Sequence, residues 1–206
     1  MAMAALAQEA VETSVEAYLQ QDKGLCRYVK QTEAAIDSSQ RDVDEMAYEL
    51  LAKEQPMAVD LRFILAVIKI NGDLERIGDQ STGITKRTKK TIKAGGAELP
   101  VDFTAMGEQV CLMIRSALRA LLEEDARLAD EVEKMDDEID HMNHRAFDDL
   151  LRLIEEKPEL TQQAMNGILV AKSLERIADH AANIATDVIF WIRGADVRHQ
   201  LSLAVD

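Results

Sequence analysis

Apolar residues recur three and four positions apart along most of the chain, the spacing of amphipathic helices and not of strands. Phe103, Met106, Val110, Met113, Ala117 and Ala120 form one such stripe, and Met3, Ala7, Ala10, Ser14 and Ala17 form a weaker one. After a break around Asp22–Gly24, Leu25, Val29, Thr32, Ile36, Ser39, Val43, Met46 and Leu50 follow with heptad spacing, which predicts a long bundle helix. That helix should end before Pro56, because proline lacks an amide proton and drives its predecessor out of helical geometry. Pro56 and Pro158 are then expected to open the longest helices, at about 57–93 and 159–193. Phe63, Val67, Ile70, Leu74, Ile77, Ser81 and Ile84 stripe the first of these, and Gly167, Val170, Leu174, Ile177, Ala181, Ile184 and Val188 stripe the second. A further face runs Leu61, Leu65, Ile68 and Gly72 to Glu75 and Asp79, so those carboxylates are expected where an inward face turns polar.

The pattern repeats. Leu25, Val29, Glu33, Ile36 and Asp37 match Leu128, Val132, Asp136, Ile139 and Asp140 at a constant offset. Leu74-Glu75-Arg76-Ile77-x-Asp79 then matches Leu174-Glu175-Arg176-Ile177-x-Asp179, with Ile84 matching Ile184. Self-similarity in this order marks an internal duplication. Ala94-Gly95-Gly96-Ala97-Glu98-Leu99-Pro100 reads as the linker between the copies. The expected architecture is all-α: two tandem, pseudo-symmetric three-helix bundles at residues 1–93 and 101–206, joined by residues 94–100.

Composition narrows the function. Only 4% of the residues are aromatic, which favours helices over a sheet sandwich, and the formal net charge is -14, so nucleic acid is not an expected partner. Anionic surfaces of any kind would be repelled unless a local basic patch overcame the field. The one basic concentration is Lys86-Arg87-Thr88-Lys89-Lys90-Thr91-Ile92-Lys93, whose bland explanation is a helix end where cations complement the dipole. Docking of an acidic partner is the other reading. Cys26 and Cys111 are neither repeat mates nor part of a Cys/His cluster, which fits free thiols in the cytoplasm. No secretory signal or membrane span is expected, because the densest apolar runs are far shorter than the roughly 20 residues a span needs.

Four acidic pairs share one spacing: Glu33/Asp37, Glu75/Asp79, Asp136/Asp140 and Glu175/Asp179. Residues i and i+4 stand on one helix face, so each pair sets two like charges side by side at a cost in stability. A multivalent cation would offset that cost, and hard carboxylate oxygens suit iron, manganese, magnesium or calcium, with zinc also admissible. The bland reading is that Arg76 and Arg176 neutralise solvated pairs. His180 and Asn183 are candidate additions to the second site, whereas His141 and His144 read as solvated. The chain has no phosphate-binding loop, no HExxH and no spacing that assembles a nucleophile with its base, so an enzyme is not expected. A metal-dependent phosphatase or oxidase and a purely structural helical adaptor stay open as rival readings.

The stretches Gln55-Pro56 through Asp60-Leu61-Arg62 to Asp79, Leu174 to His180 with Asn183-Ile184, and Ala195-Asp196-Val197-Arg198-His199 resemble the PhoU family of bacterial phosphate-transport regulators. The likeness spans nearly the whole chain, although family members usually carry a longer first helix upstream. It implies paired three-helix bundles with multinuclear iron or zinc clusters. Glu33, Asp37, Glu75 and Asp79 would ligate one cluster, and Asp136, Asp140, Glu175 and Asp179 the other. It further implies a cytoplasmic, dimeric negative regulator that contacts the ATPase subunit of an ABC-type phosphate importer and a phosphate-sensing histidine kinase.

Overall fold

The computed structural model describes residues 1–194. The helices among them are α1 (Ala2–Leu19), α2 (Lys23–Glu54), α3 (Val59–Lys93), α4 (Phe103–Glu123), α5 (Ala126–Glu156) and α6 (Thr161–Arg193), and no strand occurs in this region. The Ala195–His199 stretch of the resemblance lies outside the described residues. Duplication is visible in how the helices start. Asp22 caps α2 by accepting from the Gly24 and Leu25 amides, and Asp125 caps α5 by accepting from Arg127 and Leu128 at 2.9 and 3.1 Å. These caps satisfy amide protons that a helix leaves without partners in its first turn.

The prolines behave differently from the sequence expectation. Pro56 precedes α3 by three residues, in a turn where Gln55 and Ala58 both take positive φ. Pro158 opens a single 3-10 turn, Pro158–Leu160, ahead of α6. Non-glycine residues at positive φ are strained, and the chain tolerates two of them here to reverse direction between long helices.

Helices α1, α2 and α3 pack on one another, as do α4, α5 and α6, and the halves join through α3 against α6 and α1 against α4. The two joining helices α3 and α6 run antiparallel: Arg62 reaches the Trp191 carbonyl, Lys69 reaches Asp187, and Asp73 reaches His180. The buried side chains do not divide into one core per bundle. Met3, Ala10, Ile36 and Ile77 belong to the same continuous cluster as Met106, Ile139, Ile177 and Ile184. A small satellite of Leu150, Leu153 and Ala164 lies beside it.

Most predicted stripe positions are buried, including all six on α4. The exceptions cluster at one end of the first bundle. Met46 and Leu50 are 56% and 48% exposed, and Leu61, Phe63 and Leu65 on α3 are exposed as well. There α2 and α3, at 32 and 35 residues, outrun the 18-residue α1, and a groove of about 820 Å³ opens between Met3, Val43, Leu50, Phe63, Val67 and Trp191. The face leading to Glu75 therefore starts at solvent, correcting the expectation that it points inward along its whole length.

Candidate metal centre

Two helices supply each acidic quartet, and the duplicated packing brings them together. In the first bundle Gly78 is the contact that permits this: a Cβ there would stand 3.0 Å from Ile36 Cδ1, so α2 lies close against α3 beside Glu75 and Asp79. Glu33 and Asp37 on α2 then face Glu75 and Asp79 on α3. Burial raises the Glu33 carboxyl above the usual carboxylate range, and the charges of Asp37 and Asp79 raise it further. Glu75 is raised by burial and then by Asp79, with Arg76 opposing and Asp37 and Glu33 adding to the rise. Glu33 and Glu75 thus each feel charges from the opposite helix.

The second quartet is the more crowded. Asp136 on α5 is pushed up to about 6, first by burial and then by Asp179, Asp140, Glu175 and Asp137. Asp179 is raised by burial and by Glu175 and Asp140, with Lys172 and His180 opposing. Glu175 is only 8% exposed. Two oxygens here, Asp136 Oδ1 and Glu175 Oε2, are buried with no hydrogen-bond partner in the structure. Unpartnered buried carboxylate oxygens are costly, and they point to something that the protein alone does not provide.

The side chains as they stand do not enclose an ion: among the described residues no three His, Cys, Asp or Glu side chains are placed to hold one. What fits is the donor chemistry, since each quartet is all-oxygen, partly buried and short of compensating charge. Arg76 supplies some of that charge to the first quartet, at 3.5 Å from Glu75 and 3.8 Å from Asp79, but from an exposed position. Arg176 enters no ion pair among the described residues. Lys172, one turn before Glu175 and not singled out by the duplicated motif, binds Glu175 instead.

His180 and Asn183 stand elsewhere. His180 follows Asp179 by one residue, which turns it about 100° around the helix, away from α5 and toward α3. Its Nδ1 lies 2.8 Å from Asp73 Oδ1. Asn183 lines the same inter-bundle cleft, together with Lys69, Asp73, Glu75, Arg76 and Asp187. Lys69 and Asp187 form a second cross-bundle ion pair at 2.8 Å. Asp73, Lys69 and Asp187 escape a search for repeated motifs because their partners are a hundred residues away, although their three- to four-residue and seven-residue spacings place them on shared helix faces. His141 and His144 are exposed and turn back to backbone carbonyls of α5.

Known proteins share this fold. The PhoU domain matches the chain twice, over residues 1–88 and 103–188. A phosphate-specific transport system accessory protein PhoU homologue of Pseudomonas putida is 38% identical over 202 residues, covering 97% of this chain and 78% of that protein. A Clostridium acetobutylicum PhoU homologue is 32% identical, covering 95% of this chain and 90% of that one. The crystal structure of PhoU from Pseudomonas aeruginosa superposes with a TM-score of 0.89 at 36% identity, covering 94% and 93% of the two chains. That of the Streptococcus pneumoniae phosphate transport system regulatory protein PhoU gives 0.87 at 25% identity, covering 95% and 92%. With both halves matched, the fold shared and identity above 30% along nearly the full chain, this protein belongs to the PhoU family.

Proposed function

We propose that this chain is a non-enzymatic accessory regulator of phosphate-specific transport, acting from the cytoplasm as a dimer and restraining both phosphate uptake and starvation signalling. It does so through contacts with the ATPase subunit of an ABC-type phosphate importer and with a phosphate-sensing histidine kinase. The reading is supported by family membership over both halves and by relatives named as accessory proteins of phosphate-specific transport.

The observation that carries the metal part of the reading is the pair of buried, unpartnered oxygens on Asp136 and Glu175 inside a crowded quartet. Glu33, Asp37, Glu75 and Asp79 would hold one multinuclear cluster, and Asp136, Asp140, Glu175 and Asp179 the other. Iron or zinc leads, with manganese and magnesium as the other hard-ligand options. Bound cations would supply the positive charge that lets the crowded carboxylates ionise together. Meanwhile α2 with α3, and α5 with α6, set the separation of the two carboxylate pairs in each quartet.

Elemental analysis of protein purified without chelator tests the metal, and a pull-down with the importer ATPase and the sensor kinase tests the function. Iron or zinc retained by the wild type and lost from Glu75→Ala and Asp136→Ala is the expected result. Failure to retain either partner, with and without metal, overturns the regulatory reading. Turnover of phosphate esters or oxygen that vanishes in the same variants would replace it with an enzyme.

A further inference from the structure

The basic run on α3 is larger in space than in sequence. Lys86, Lys90 and Lys93 lie exposed along the last two turns of α3, opposite the buried Ile84, Thr88 and Thr91, with the half-buried Arg87 and Lys89 on either flank. The start of α2 runs beside them and adds Lys23, Arg27 and Lys30. Cys26 Sγ approaches the Thr85 carbonyl at 3.8 Å, and Lys30 and Lys86 both act on Glu33, so the two stripes adjoin. None of these eight cations enters an ion pair among the described residues. A third of the chain's 24 basic residues therefore gathers, unpaired, at one end of a strongly acidic protein.

The helix dipole does not explain this patch. It favours cations at the end of α3 but opposes them at the start of α2, where Lys23 and Arg27 sit. Nor does the fold require it, because the second bundle supplies the comparison. At the places of Lys23, Arg27 and Lys30 it carries Ala126, Asp130 and Glu133, and at those of Lys86 and Lys93 it carries Thr186 and Arg193. There the two helices neutralise each other: Arg193 forms a two-point pair with Asp130, and Thr186 donates to Glu133. The same packing in the first bundle sets cation beside cation, and like charges so placed are kept only where something else balances them.

We infer that the basic end of the first bundle, formed by the start of α2 and the end of α3, docks reversibly on an anionic lipid surface. Charge complementarity supplies the attraction, and residue type selects a membrane over other anions. Six of the eight are lysines, strongly hydrated point charges suited to a diffuse charged plane; protein interfaces favour arginine and are depleted in lysine. No aromatic side chain is interleaved among the α3 cations, and the one among the α2 cations, Tyr28, is tied to the acidic Glu9 by a 2.6 Å hydrogen bond from its hydroxyl, which disfavours the stacking that holds single-stranded nucleic acid. Glu33, beside Lys30 and Lys86, offsets part of the patch's charge, while salt screens carboxylates farther than about 8–10 Å from it. Such a dock holds the carboxylate quartets at a fixed side of the bilayer plane without any spanning helix.

Sedimentation of the whole chain with phosphatidylcholine vesicles, with and without phosphatidylglycerol, tests this. Binding is expected only to the phosphatidylglycerol vesicles and is released by added salt. Lys86→Gln, Lys90→Gln and Lys93→Gln together should weaken it about a hundredfold, at the usual worth of a basic residue near an anionic surface. Arg27→Asp with Lys30→Glu, which copies residues the second bundle already carries, gives an independent check should the first variant fold poorly. Lys134→Gln on α5 should change nothing. No binding to phosphatidylglycerol at low salt, equal binding to neutral vesicles, or binding unaltered by both patch variants overturns the inference. Capture by duplex DNA or an acidic polypeptide with vesicles ignored overturns it as well, and none of these outcomes bears on metal retention or partner binding.

Discussion

Replacing Asp136 by Asn should stabilise the protein when metal is removed and destabilise it when metal is supplied. In the folded chain burial and three neighbouring quartet carboxylates raise Asp136 to about 6, from an unfolded value near 4. A native group that holds its proton more tightly than the unfolded chain favours folding at low pH. That stability is fully present below about pH 4 and is lost as pH rises through about 6. At pH 7 the ionised Asp136 is therefore a burden, nominally about 3 kcal/mol for a two-unit shift. Solvent screening of a half-buried group reduces this to about 1 kcal/mol. Asn keeps the shape and drops the charge, so in chelator at pH 7 the melting temperature should rise by about 2–4 °C. The wild type in chelator should also gain stability as pH falls from 7 toward 5, because Glu33, Glu75 and Asp179 are raised for the same reasons. The variant should show a shallower dependence. Excess iron or zinc reverses the order, since an ion that binds only the folded state stabilises it in proportion to the logarithm of its saturation. Thermal scans of both proteins at several pH values, with chelator and with metal, supply the readout. A melting temperature that is unchanged or lower for Asp136→Asn in chelator at pH 7 would refute the crowding argument at its root.

Other outcomes follow from the packing. Because one buried cluster runs through both halves, calorimetry should record a single cooperative transition, and Ile177→Ala should cost about 2–5 kcal/mol of stability and lower its midpoint accordingly. Two resolved transitions would show that the bundles fold independently. Asp125→Ala removes the single carboxylate oxygen that accepts both cap hydrogen bonds of α5 and should cost about 1 kcal/mol by chemical denaturation, with Asp22→Ala similar at the equivalent cap of α2. Lys172→Ala should destabilise metal-free protein by about 1 kcal/mol, since it strips the cation from nearly buried Glu175, whereas Arg176→Ala should fall within about 0.5 kcal/mol of wild type. The reverse order in the same denaturation series would return the neutralising role to the arginine of the repeated motif.

The primary sequence by itself determined the helices, their duplication and the pairing of carboxylates along each helix. Those features are local: heptad spacing, proline breaks and the i,i+4 rule follow from the geometry of one helix, and repetition at a nearly constant offset carried each of them into the second half. Leu-Glu-Arg-Ile-x-Asp could thus be read as half of a site. Tertiary structure alone decided what each half-site meets. It placed Glu33 and Asp37 across from Glu75 and Asp79 through the close approach at Gly78, turned His180 to Asp73, and gave Glu175 its cation from Lys172 in place of Arg176. It also ran one buried cluster through both bundles and left Met46 and Leu50 at solvent, because a stripe is buried only where a neighbouring helix reaches it. Lys23, Arg27 and Lys30 show the same limit most clearly. Their spacing says only that they share a helix face, and it took antiparallel packing of α2 on α3 to bring them beside the cations some sixty residues later.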